Sequence, residues 1–201
     1  MASTGKAPIR TPDQRLRVFV SSTLGELAEE RHAVSRAVAA LRMTPVMFEI
    51  GARPHPPRQL YQAYLEQSDI FIGLYWERYG QVSAGMELSG LEDEFELSRA
   101  LPRLLYLKEP APDREPRLAA LIGRIAEEAS YRTFRTPAEL GRLVREDLAT
   151  LLSERFAASA GALMPSARGP RPLPVMATSL VGREQAIDDV ARMVAPEGGA
   201  W

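Results

Sequence analysis

The 201-residue chain contains no cysteine. That excludes disulfides, thiolate nucleophiles and thiolate metal sites. Histidine is almost as scarce. His32 falls in a helical stretch and His55 among prolines, with no spacing that joins them around an ion, so no metal site is expected. Lysine is confined to Lys6 and Lys108, so arginine carries the positive charge, interleaved with 26 acids to a net charge of -1. No basic cluster stands out, and no nucleic-acid partner is expected. No apolar run approaches the roughly 20 residues of a membrane span. Residues 1–13 are polar and proline-containing, without the apolar segment of a secretory signal. The expectation is a cytoplasmic protein with no membrane partner.

What is present is an ordinary globular composition, 45% apolar, organised around residues 16–31. Leu16-Arg17-Val18-Phe19-Val20 has the β-branched and aromatic character of a buried central strand. The run breaks at Ser21-Ser22-Thr23 and turns helical, with Leu24, Leu27, Ala28, Val34, Val38 and Leu41 on one face. Thr23 followed by Glu26 has capping-box spacing and predicts a helix over 24–41. Ser21 and Ser22 then lie where a strand ends and a helix begins. They read either as turn residues or as part of a ligand site, since open α/β sheets bind ligands there.

Further strands are expected at 45–49, 69–76, 103–108 and 131–135, the second of these the most apolar run in the chain. Helices are expected at 58–66, from a Ser89/Glu92 capping box to about 101, around Leu118–Ile125, and at 137–156. Residues 51–57, with three prolines, form a stiff loop, and 77–88 reads as a mobile one. Strand–helix alternation repeated five times predicts an α/β fold: a three-layer, flavodoxin-like parallel sheet in the order 2-1-3-4-5 with helices on both faces. The domain reading is a disordered segment 1–14, the α/β domain 15–157, a Pro/Gly/Ala linker 158–178 and the truncated start of another domain at 179–201.

The helix beginning near Ser89 crowds four carboxylates into two turns. At about 100° per residue, Glu92, Asp93 and Glu96 fall on a solvated side. Glu94 instead projects from the apolar arc carrying Leu91, Phe95, Leu97 and Leu101. A carboxylate there is costly unless it is paired, with Arg31 or Arg78 as candidates, or placed at the rim of a pocket that uses it.

Together, Arg17-Val18-Phe19-Val20-Ser21-Ser22-Thr23 with Glu30-Arg31, Ser68-Asp69-Ile70-Phe71-Ile72-Gly73, Tyr79-Gly80 and Glu94-Phe95 resemble a domain family of unknown function. That family stands at the amino terminus of STAND-type NTPases and is similar to the Toll/interleukin-1 receptor (TIR) domain. The resemblance covers about 16–156. Leu180-Val181-Gly182-Arg183-Glu184 is similar to the lead-in to the nucleotide-binding domain of such NTPases, so 179–201 reads as its opening.

Many TIR-like domains cleave NAD+ at the nicotinamide–ribose bond with a glutamate on the helix after the third strand. The resemblance makes Glu94 that catalytic residue, stabilising an oxocarbenium-like ribose as nicotinamide leaves. It places Ser21 and Ser22 near the phosphates or ribose and makes Trp76, Tyr79 and Gly80 part of the nucleotide site. NAD+ enters as substrate, and no tightly bound cofactor is expected. At Gly90, four residues before Glu94, the usual aromatic residue of TIR sites is missing.

The implied setting is immune or antiphage defence signalling, with activity switched on when neighbouring TIR-like domains self-associate and the NTPase and sensor parts supplying the trigger. The alternative is a non-catalytic module that associates through residues 51–57. A flavin carrier, also allowed by the fold class, lacks its dense Ser/Thr/Gly phosphate cradle in the first loop.

Overall fold

The computed structural model describes residues 14–48, 54–83 and 85–163, with side chains to 159. Five strands, β1 (Arg17–Ser21), β2 (Thr44–Met47), β3 (Ile70–Tyr75), β4 (Arg103–Lys108) and β5 (Tyr131–Phe134), alternate with five helices. The helices are α1 (Ala28–Ala40), α2 (Pro57–Glu66), α3 (Gly90–Leu97), α4 (Pro116–Glu128) and α5 (Pro137–Leu163). All strand pairs are parallel, in the order β2-β1-β3-β4-β5. This is the flavodoxin-like α/β architecture expected from the alternation. β1 and β3 are neighbours because the chain leaves β1 for the edge and returns, so the topology switches direction between them.

Alternation along the strands divides the core in two. Val18, Val20, Ile70, Ile72 and Leu74 pack beneath α1 and α5, against Val34, Val38, Leu143 and Leu148. Phe19, Phe71, Tyr75, Leu105 and Leu107 pack beneath α2, α3 and α4, against Leu65, Phe95, Leu118 and Ile125. Every residue of β3 is buried, as its unbroken apolar run requires. Pro45 sits in β2, an edge strand where its missing N–H costs no ladder bond on the open side.

Two boundaries differ from expectation. The Thr23 hydroxyl donates to the Glu26 carboxylate at 2.8 Å rather than capping the helix, and α1 begins at Ala28 after a turn. Glu26 is engaged a second time, by the Arg78 backbone N–H at 3.1 Å, which ties the end of β1 to the loop after β3. At the other end, α5 continues past Phe156 to Leu163, through alanine-rich sequence that favours helix once it is nucleated. The chain divides into two units, Met1–Phe156 and Ala157–Trp201. The readings of 1–13 as disordered, of 164–178 as linker and of 179–201 as an NTPase lead-in lie outside the described residues, as do residues 51–53 of loop 51–57. No described helix is long and apolar enough to cross a membrane.

Candidate functional site

Ser21 closes β1, one residue beyond the apolar run, and its side chain falls on the α3 face of the sheet. In the β1–β3 register it lies opposite Gly73. Glu94 descends from α3 onto the same face and is 8% exposed. Burial raises its carboxyl from 4.5 to about 7, against the Ser21 hydroxyl and the Arg31 guanidinium, which favour the charged form, while Asp93 adds to the rise. The Ser21 hydroxyl has this influence without closing a hydrogen bond of ordinary length and angle, and its oxygen is buried. No ion pair joins Glu94 to an arginine among the described residues. Arg31 donates instead to the Ser22 hydroxyl at 2.9 Å and the Phe48 carbonyl at 3.1 Å, and Arg78 pairs with Glu115. Of the two environments open to Glu94, pairing or the rim of a pocket, the described residues show no ion pair, and the buried side chain lines neither of the two cavities beside α5.

The neighbouring acids behave otherwise. Glu92 and Asp93, expected on a solvated side, are buried at 7% and 6% exposure. The reason is lateral: α3 lies between α2 and α4, so both its flanks are covered. Asp93 accepts from Arg58 at 3.0 and 3.2 Å and from the Tyr61 hydroxyl at 2.6 Å. Burial alone would raise its carboxyl, but these bonds outweigh it and hold Asp93 below the usual carboxylate range. Glu92 is gripped on the other flank by the Tyr79 hydroxyl and Arg124. Only half of the second capping box forms. The Glu92 N–H donates to Ser89 Oγ at 3.3 Å, while the Ser89 N–H donates to the Tyr79 hydroxyl rather than to Glu92. Glu96 stays on the outer surface, paired with Arg99.

The TIR resemblance groups Trp76, Tyr79 and Gly80 with the serines. The structure puts Trp76 and Tyr79 in other networks. The Trp76 ring carries the Lys108 ammonium 3.8 Å from its centroid, and its Nε1 donates to the Pro110 carbonyl at 2.9 Å. The buried Tyr79 ring lies under the Arg117 guanidinium, 4.3 Å from its centroid. Its backbone N–H donates to Glu115 at 2.8 Å, so the loop read as mobile is tethered at this point. Gly80, with φ of +87°, stands near Thr23 and Ser89. Its left-handed backbone is one that glycine adopts without strain.

One buried hydroxyl on this face gives no signal in the sequence pattern. Tyr75 belongs to the apolar run of β3, but its hydroxyl has no hydrogen-bond partner among the described residues. Burial pushes its ionisation far up, and the Glu94 charge pushes it further. Two cavities lie elsewhere. One of about 300 Å³ runs between β4, β5 and α5, lined in part by Tyr106, Tyr131 and Asp147, and one of about 340 Å³ lies between α1 and α5. Neither reaches Glu94. Among the described residues no group of three or more His, Asp or Glu could hold a metal ion. At Gly90, nothing stands within 4 Å of where a side chain would begin.

Parallel strands in this order, with a buried carboxylate at the switch between β1 and β3, define a doubly wound α/β domain of flavodoxin-like class. More particularly, the chain belongs to the domain-of-unknown-function family DUF4062, whose model matches residues 17–149. None of the curated proteins matches it. Among solved structures it is similar to the Flv1 flavodiiron core of Synechocystis sp. PCC6803, at 12% identity and TM-score 0.42, over 69% of this chain and 37% of that one. It is also similar to a flavoprotein of Thermotoga maritima, at 16% identity and TM-score 0.41, over 71% of this chain and 36% of that one. A diflavin flavoprotein A3 of Nostoc sp. matches at 11% identity and TM-score 0.37, over 68% of this chain and 96% of that one. The chain thus spans little more than a third of the first two.

Proposed function

We propose that this domain is the cytoplasmic signalling module of a STAND-type NTPase and that, on assembly, it hydrolyses NAD+ at the nicotinamide–ribose bond. The reading rests on one observation: Glu94 is turned inward beside Ser21, without an ion pair, and titrates at about 7. A carboxyl poised there holds or releases a proton at neutral pH. In its charged form it stabilises positive charge developing on a ribose carbon, as in glycoside hydrolysis. The carboxyl end of adjacent parallel strands at a topological switch is the customary ligand position of such sheets. The TIR resemblance supplies the substrate class, and the resemblance around Leu180–Glu184 supplies the NTPase setting.

In the single chain the site is covered. The Asp93–Arg58–Tyr61 and Glu92–Tyr79–Arg124 clusters hold α3 down on both flanks. Self-association of neighbouring domains is the step that opens it. Nicotinamide release by the full chain displayed at high density on a multivalent scaffold tests the reading. Activity abolished by Glu94→Gln supports it, whereas a folded, clustered sample that leaves NAD+ intact refutes it.

The same covering favours a second reading, a non-catalytic module that associates through residues 51–57. It requires Arg53→Glu to abolish self-association in light scattering while Glu94→Gln is silent. A flavin reading has less support, because the Glu26 carboxylate occupies the loop after β1 where a phosphate cradle would lie.

A further inference from the structure

We propose that Tyr75 is a further substrate-contacting residue of the Glu94 site, and that Tyr75 and Ser21 together receive an uncharged vicinal diol such as the ribose of a nucleoside. The inference rests on the reading of Glu94 as the carboxylate of a nucleotide-cleaving site and names the fragment it takes.

Three buried side-chain polar atoms among the described residues close no hydrogen bond: Ser21 Oγ, Tyr75 Oη and Arg103 Nη1. Such groups are rare in folded proteins and ask for an explanation. Ser21 and Tyr75 belong together. Both lie on the α3 face near the carboxyl ends of adjacent strands, at 1% and 0% exposure. The Tyr75 ring folds back over Gly73, and its hydroxyl lies 2.6 Å from where a Gly73 Cβ would stand. Gly73 is the residue opposite Ser21 in the register. The missing side chain therefore makes the space in which the phenol approaches the serine. Glu94 is electrostatically linked to both: Ser21 favours its charged form, and its charge raises Tyr75. Arg103, whose charge also acts on Tyr75, lies at the start of β4 opposite Phe71, with its guanidinium over Phe95 and another nitrogen on Glu128.

The chemistry of the pair selects its guest. Each hydroxyl both donates and accepts, and the carboxylate accepts only. A diol, whose two hydroxyls also donate and accept, satisfies all three. A phosphate would meet the Glu94 charge here. Arg31, whose charge favours the ionised form of Glu94, is engaged by the Ser22 hydroxyl and the Phe48 carbonyl. Ser21 and Ser22 thus have different parts: Ser22 is held by Arg31, while Ser21 lies on the Glu94 side.

The test uses the full chain clustered on a scaffold, with nicotinamide riboside followed by saturation-transfer NMR and inorganic phosphate by phosphorus NMR line broadening. Tyr75→Phe keeps the ring and removes the hydroxyl, and Ser21→Ala is the second variant should the first not fold. Wild type is expected to bind the riboside, and each variant to bind it at least tenfold more weakly with phosphate binding unchanged. A folded Tyr75→Phe that binds the riboside as wild type does, or wild type that does not bind it, overturns the proposal. Riboside binding that depends on Tyr75 in a chain that leaves NAD+ intact upholds the diol site and removes the hydrolase reading. NAD+ cleavage with unchanged KM in Tyr75→Phe does the reverse.

Discussion

The Tyr75 hydroxyl occupies the space a side chain on Gly73 would need: a Cβ there would meet Tyr75 Oη at 2.6 Å and Cε2 at 2.9 Å. Tyr75 is wholly buried, so its ring has no open side to swing toward. Gly73→Ala is therefore expected to destabilise the domain by about 1–3 kcal/mol, the usual cost of overpacking a filled core. Chemical denaturation measures it. Adding Tyr75→Phe relieves the contact with Oη but leaves the contact with Cε2, so the double variant recovers part of the loss.

Glu94 gives the domain a pH dependence of definite sign. Its carboxyl lies at 4.5 ordinarily and at about 7 in the fold. Between those values the folded chain keeps a proton that the unfolded chain releases, so stability falls as pH rises through this window and stays low above it. The full difference is about 3 kcal/mol. Glu94→Gln lacks this loss. Melting curves of the two proteins are expected to converge at about pH 4 and to favour the variant at about pH 8.

The clusters flanking α3 act as its fasteners. Arg58 and Arg124 are about half exposed, yet each reaches a carboxylate that is buried. Arg58→Ala or Arg124→Ala leaves that buried carboxylate without its countercharge, held by a tyrosine hydroxyl, so α3 lifts more readily. Hydrogen exchange at amides 92–97 is expected to quicken in either variant. If the site opens by release of α3, both variants also release nicotinamide without clustering, which a multiple-turnover assay detects.

On the opposite face, the Lys108 ammonium lies 2.7 Å from a Glu30 carboxylate oxygen. The Glu30 side chain is 3% exposed. Lys108→Met strands that acid in the core and is expected to cost about 3–5 kcal/mol. Pairing it with Glu30→Leu restores most of the loss, because the site then packs as an apolar one. Urea denaturation of the single and double variants measures the coupling.

The strands and helices were legible because each rests on local pattern: the apolar run of β3, the β-branched β1, and the prolines that open α2, α4 and α5. Glu94 was legible for the same reason, since helical angle alone sets it among Leu91 and Phe95. Glu92 and Asp93 were misread because that angle describes one helix in solvent. Their burial depends on Arg58, Tyr61, Tyr79 and Arg124, which approach from other elements. Thr23 and Glu26 have the spacing of a cap, but the Arg78 N–H at the far end of β3 also claims the Glu26 carboxylate. Tyr75 was hidden by its own ring, which belongs to the apolar pattern while its hydroxyl does not. The one available signal was Gly73, a residue without a side chain in a strand otherwise built of bulky ones.

The proposed chemistry turns on the protonation of a single carboxyl. Titration of Glu94 by carbon NMR in the selectively labelled chain reads it directly. The midpoint is expected at about 7, and to move higher in Ser21→Ala, which removes a group that favours the charged form. A midpoint near the ordinary 4.5, unmoved by Ser21→Ala, would mean that the carboxylate is solvated or paired and that the two residues share no site.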